Sequence, residues 1–268
     1  MKAIFNELNL GMLFLKKNMK EFLIDKGNFI LYFFTILFYQ LLFIIFIYVI
    51  FKHVPDIRGW SFYEILFIFG FFNIVSGIFY LVFAWTLWFP EKYILSGKFD
   101  ILLLLPINSL LCVIYEELGR SISEIITIFL GILYIIFAYF HLKLNFSFLT
   151  LIYFLINIFS AVLVLGGIFI IFTSFSMRLK TRNPFITPFI YFMELAQYPI
   201  DIFNKTLRII LTFILPIAFA GFFPAASIIR PDKYKNFVCI TFLLGVLIFY
   251  FGTLLWNLNI KKYESIGD

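Results

Sequence analysis

FLTLIYFLINIFSAVLVLGGIFIIF, residues 148–172, carries no charged side chain. It exceeds the roughly 20 apolar residues that cross a hydrocarbon core about 30 Å thick. Working outward, segments of the same kind occupy 29–51, 65–89 and 122–140 before it and 237–256 after it. With 63% hydrophobic residues and a mean hydropathy of +1.03, no water-soluble core would hide this much apolar surface. The pattern predicts a single all-α polytopic membrane domain over 1–268 with six transmembrane helices.

The fifth of these crossings is open to two readings. Hydropathy favours 209–229, which has no charge but contains Pro216 and Pro224, residues that break helices. The other reading crosses from Pro184 to about Gln197, turns at Tyr198-Pro199, and sends 202–229 back as a re-entrant hairpin. Both leave one net crossing.

Before Asn28 the character changes. Ile4, Leu8, Met12, Leu15, Met19 and Phe22 recur at helical spacing, with Lys16, Lys17 and Lys20 between them. Residues 1–27 therefore read as an amphipathic helix lying in the membrane interface. The first apolar run is too long for a signal peptide and is followed by Lys52-His53-Val54-Pro55, so it is expected to stay as a span.

Basic residues set the orientation. With the N-terminus inside, the inner face holds Lys2, Lys16, Lys17, Lys20, Lys26, Lys92, Lys98, Arg120, Arg178, Lys180, Arg182, Lys261 and Lys262. The outer face holds fewer: Lys52, Arg58, Lys143, Arg230, Lys233 and Lys235. Both termini are expected on the cytoplasmic side of the cell membrane. The net charge of +6 is spread over loops rather than gathered in one patch, which argues against nucleic acid as a partner. Cys112, Cys239, His53 and His141 are isolated, so no metal site is expected.

Residues 90–120 form the largest inner connection. Gly97 permits a tight turn, Pro106 ends the leucine run, and Asn108 or Ser109 is placed to cap a helix reaching Glu116-Glu117. Such a segment either offers a short amphipathic helix to a cytoplasmic partner or lies on the membrane as a connector. No G-x-x-x-x-G-K-[ST] phosphate loop occurs, so the chain is not expected to hydrolyse ATP or hold a cofactor. Among polar residues within or near the apolar segments, Glu64 and Glu124 lie near span ends, whereas Gln40, Asn73 and Asn157 lie deeper and suit interhelical hydrogen bonds. Glu194, in the ambiguous fifth segment, either lines a pathway or caps the helix beside Tyr198-Pro199. Gly70, Gly77, Gly166 and Gly167 permit close helix packing.

Several stretches in order resemble the permease subunits of ABC-2-type exporters, in a bacterial branch whose substrates are mostly unassigned. They are Gly97-Lys98-Phe99-Asp100 through Leu104-Leu105-Pro106-Ile107, Tyr198-Pro199-Ile200-Asp201-Ile202-Phe203, Leu215-Pro216, Phe223-Pro224-Ala225-Ala226 and Tyr263-Glu264-Ser265-Ile266-Gly267. The resemblance implies a six-helix permease whose coupling helix falls within 97–117, with Gly97, Asp100, Pro106, Asn108, Ser109, Glu116 and Glu117 as its residues. That helix docks on a separate cytoplasmic ATPase subunit, which holds the ATP and magnesium. The family also carries an interfacial N-terminal helix and an outer re-entrant hairpin, here 202–229 with Tyr198, Pro199, Pro216 and Pro224. A second permease copy or paralogue and membrane lipids are the other implied partners, and the Phe-, Ile- and Leu-rich interior suits a lipid-like, peptidic or drug-like cargo. An ion-coupled secondary transporter would show paired intramembrane charges or inverted repeats. A membrane-embedded lipid-modifying enzyme would show a convergent nucleophile, acid/base pair or metal cluster.

Overall fold

A computed structural model describes residues 11–20, 26–144, 147–179, 184 and 186–265. The ends of the N-terminal amphipathic segment, Lys180, Arg182 and Ile266-Gly267 lie outside the described residues. Among the described residues all regular structure is helical. Helix α1 covers 11–20, α2 is Lys26–His53, and α3 is Phe62–Phe83, continued by α4, Trp85–Phe89. The inner connector holds α5, Lys98–Leu103, and α6, Ser109–Glu117. Long helices α7, Ile125–Leu142, and α8, Phe148–Leu179, come next. Short helices α9 (Ile186–Met193), α10 (Lys205–Ile209), α11 (Phe222–Ile229) and α12 (Pro231–Tyr234) lead to α13, Phe237–Ile260.

Among the described residues, five segments are long and apolar enough to cross a membrane: Phe29–His53, Phe62–Ile94, Ile122–Leu142, Phe148–Leu179 and Phe237–Ile260. The second extends beyond the expected boundary at Phe89. Pro90 lacks an N–H, yet the chain continues through a wide π-helical turn, Pro90–Ile94, closed by Leu95 N–H donating to the Pro90 carbonyl at 2.9 Å. The connector therefore begins at Leu95 rather than at Pro90.

Glycine decides which helices touch. Ideal Cβ atoms on Gly70 and Gly131 would lie 2.8 and 2.6 Å from each other's carbonyl oxygens, so α3 and α7 meet backbone to backbone. On α8 and α13, a Cβ on Gly252 would lie 2.9 Å from the Gly167 carbonyl oxygen, and one on Gly245 would lie 2.6 Å from that of Ser160. Small residues are how helices associate where lipid removes the hydrophobic drive. Between the two pairs, Gly166 faces the Phe83 ring. Helices α3 and α8 are mostly buried, whereas α2, α7 and α13 turn most of their surface outward.

The long helices alternate in direction between two ends, one marked by Trp60 and the other by Trp256. Helix α2 runs from Tyr32, bonded to Glu124, to Phe51, whose ring meets Phe62 at the start of α3. Helix α3 comes back, and α7 then runs out again from beside Glu124 to His141, stacked on Tyr63 at the Trp60 end. Helix α8 finishes near Ser174, whose carbonyl accepts from Asn259 late in α13. Helix α13 starts at the other end, with Phe237 stacked on Phe223 at 4.2 Å. The chain between Leu179 and Phe237 thus has to travel back from the Trp256 end to the Trp60 end.

It does so in pieces. Residues 209–229 are broken, as the prolines suggested, though at other points: Leu215 leaves helical geometry (φ −117°, ψ 89°) before Pro216 and Gly221 does so again (φ −143°, ψ −68°). Pro224 does not break α11. It is the third residue of that helix, where an N–H has no intrahelical acceptor anyway. The run through α9 and the 3-10 turn Glu194–Gln197 spans only about 18 Å at 1.5 Å per residue. It stops where Tyr198, preceding proline, turns extended (φ −112°, ψ 150°). The segment between Asp201 and Arg230 leaves and rejoins the same end, since Trp60 Nε1 donates to Asp201 at 3.4 Å and the Arg230 guanidinium lies 3.9 Å from the Trp60 ring centre. All of α11 is buried, held to α8 by Asn157 Nδ2 donating to Ser227 Oγ at 3.1 Å. Gly221 is required there, because a Cβ would stand 2.3 Å from the Ala196 carbonyl oxygen.

Candidate functional site

The connector at the Trp256 end is a fixed body. Gly97 takes a left-handed conformation (φ 68°), which reverses the chain after the π turn. Phe99 of α5 is fully buried, with ring centres of Phe89 at 5.2 Å, Tyr263 at 5.3 Å and Trp256 at 6.0 Å. After the turn containing exposed Pro106, Asn108 Oδ1 accepts from the N–H groups of Leu110 (2.9 Å) and Leu111 (3.3 Å) and caps α6. Ser109 does not cap; its Oγ accepts from Trp256 Nε1 at 3.1 Å. Ser265 Oγ donates to the Asp100 carboxylate, which places the C-terminal stretch on α5.

Glu116 and Glu117 are engaged within the chain. Lys98 pairs with Glu116, and Lys92 and the Tyr93 hydroxyl both engage Glu117, with Arg120 at 3.8 Å. Asn18 of α1 donates to the carbonyls of Glu116 (2.6 Å) and Leu118 (2.8 Å), so α1 lies across α6. Met12 and Met19 of α1 stay exposed. Cys112 is buried in α6, and burial together with nearby Glu116 pushes its thiol pKa up to about 11. Large apolar side chains stand outward on the connector beside polar Ser96 and Asn108: Ile101 is 66% and Leu104 is 84% exposed.

At the Trp60 end, Glu64 closes a capping box with Ser61 and accepts from Arg230 through Nε (2.6 Å) and Nη2 (2.8 Å). That pairing holds the guanidinium above its ordinary pKa. Asp201 accepts from the Tyr234 hydroxyl at 3.1 Å and lies 3.7 Å from Arg208. These contacts clamp the broken segment to the start of α3.

A cleft of about 280 Å³ lies between α2, α3, the start of α7 and the α9 segment. Glu194 lines it, and so do Glu124, Gln40 and Asn73. Gln40 and Asn73 exchange hydrogen bonds at 2.7 and 3.3 Å. Glu124 accepts from the Tyr32 hydroxyl and from Thr127 Oγ1 at 3.1 Å. Tyr39 and Tyr80 add aromatic walls. Sequence reasoning isolated Glu194 and missed the tyrosines, although Tyr32, Thr35, Tyr39 and Gln40 form a polar stripe at helical spacing along an otherwise apolar helix. Among the described residues, no three His, Cys, Asp or Glu side chains converge as a metal site.

A multi-helix bundle with five membrane-length apolar helices and glycine-packed seams is a multi-pass membrane protein. Residues 37–267 match the family described as ABC-2 family transporter protein, and the chain belongs to that family. It is therefore a membrane component of a transporter. No curated protein and no solved structure matches it significantly.

Proposed function

We propose that the chain is the permease subunit of an ATP-binding-cassette exporter of the cell membrane, coupled to a separate ATPase and working as a dimer with a second permease. The observation that carries this reading is the connector. It is fixed from behind by aromatic rings and ion pairs, yet it presents Ile101, Leu104 and Pro106 outward at the end of the bundle. A stiff apolar tip suits docking into a groove on a soluble partner.

In this reading the Trp256 end faces the cytoplasm, in keeping with Lys92, Lys98, Arg120 and Arg178 at that end. Both termini are cytoplasmic, and α1 lies in the interface with Met12 and Met19 toward lipid. The pieces between Leu179 and Phe237 make the sixth crossing. The stretch from Asp201 to Arg230 is its outer re-entrant hairpin; irregular backbone at membrane depth is tolerated when buried in protein, as α11 is. Gly97, Asp100, Asn108 and Ser109 shape the coupling tip, while Glu116 and Glu117 hold it from within.

The test is co-purification of the chain with the products of neighbouring genes, with and without Leu104→Asp. Burying one leucine stabilises an interface by about 1.5–3 kcal/mol, so the substitution is expected to weaken retention of a nucleotide-binding subunit tenfold or more. Recovery of the unaltered chain without such a subunit overturns the reading.

A further inference from the structure

The cleft between α2, α3, α7 and the α9 segment has a one-sided chemistry. Among its described lining residues there is no Lys, Arg or His, while Glu124 and Glu194 both line it. Most of its other polar groups are already committed. Gln40 and Asn73 bond each other, Ser76 Oγ donates to the Asn73 carbonyl, and Tyr32 and Thr127 satisfy Glu124. Glu194 is different: it makes no hydrogen bond or ion pair with any described residue. A half-buried carboxylate with no hydrogen bond or ion pair to a described residue, sharing the cleft with Tyr39 and Tyr80, is free to face a positive charge. The remaining wall is apolar, with Ile36, Phe72 and Met193.

Position adds a second constraint. Along α2 the lining runs from Tyr32, next to Glu124 at the Trp256 end, to Gln40 near mid-length. Tyr32 and Tyr39 are exposed at its rim. On the proposed orientation the cleft opens from the inner leaflet toward mid-bilayer, where an amphiphile with a charged head and an apolar body already partitions.

We propose that this cleft binds a cationic amphiphile, with Glu194 facing the positive centre, the tyrosine rings flanking it, and the apolar body against Phe72 and Met193. The assignment rests on the permease reading for its meaning as a cargo site, but its test needs neither ATP nor a partner. Tetraphenylphosphonium is the probe, titrated onto the full chain in nanodiscs and compared with empty nanodiscs. Saturable binding is expected, weakened at least tenfold by Glu194→Gln and also by Tyr39→Leu, with neutral triphenylphosphine oxide failing to compete. Glu194→Gln preserves shape and breaks no bond among the described residues, so an unchanged elution profile separates lost binding from lost folding.

Binding no greater than to empty nanodiscs overturns the proposal. So does equal affinity in Glu194→Gln, or equal competition by the neutral analogue. Either failure leaves co-purification with an ATPase untouched, and failure of co-purification leaves the binding result standing.

Discussion

Removing the Arg230 side chain isolates one contact that ties the returning segment to α3. Arg230→Met deletes two charged hydrogen bonds to Glu64, a third to the Gly59 carbonyl and a cation over the Trp60 ring. It leaves a carboxylate whose side chain is 12% exposed, against 31% for the arginine. Stripping one partner from a fully buried pair costs about 3–5 kcal/mol. Partial exposure of this pair lowers that toward about 2–3 kcal/mol, and loss of the cation–π contact adds about 0.5–1 kcal/mol. The expected destabilisation is therefore about 3 kcal/mol, read as an earlier unfolding midpoint in mixed micelles of rising dodecyl sulfate content. The double variant Arg230→Met/Glu64→Gln is the decisive comparison, because glutamine still accepts from the Ser61 N–H and no longer leaves a charge unpaired. It is expected to recover at least about 1 kcal/mol of the loss. A single variant within about 0.5 kcal/mol of the parent, or a double variant no better than the single, would refute the clamp.

Gly131→Ala places a Cβ 2.6 Å from the Gly70 carbonyl oxygen and is expected to cost about 1–3 kcal/mol in thermal unfolding, whereas Gly27→Ala, with open space around it, is not destabilising. For the cysteines, mass spectrometry after N-ethylmaleimide at pH 8 should find exposed Cys239 modified and Cys112 spared. A thiol pushed up to about 11 carries little thiolate below that pH, and packing shields it as well, so Cys112 is expected to react only after denaturation; its reaction in the folded chain would contradict the placement of α6. Ser96→Cys, at an exposed position on the connector, should react with impermeant reagents from the cytoplasmic side alone, and labelling from outside would reverse the orientation.

Hydropathy located the five continuous helices and placed their starts closely, because twenty or more consecutive apolar residues have few other fates, but α8 runs past the expected end at Phe172 to Leu179. It misjudged Pro90, since a wide turn absorbed a residue that ordinarily ends a helix. It could not resolve 186–236, where short helices, α11 buried and α10 not, share the composition of a span but not its continuity. The connector's turn at Gly97 was legible from local chemistry, and its cap was narrowed to Asn108 or Ser109, of which Asn108 serves. The engagement of Glu116 and Glu117 within the chain was not legible, because Lys92, Lys98 and Asn18 reach them only once α1 and the π turn have packed. The cleft likewise required four separated segments to meet. Only the Tyr32-to-Gln40 stripe foreshadowed it.

The glycine seams have a mechanical consequence. They join α3 to α7 and α8 to α13 through backbone contact, giving two stiff blades, while the blades meet each other in part through the Phe83 ring resting on Gly166. The connector grips one blade through Phe89 and the other through Trp256. On the permease reading, a load applied at Leu104 is shared by both blades through these rings. The Phe83–Gly166 contact is one place where the blades rest side chain on backbone rather than backbone on backbone.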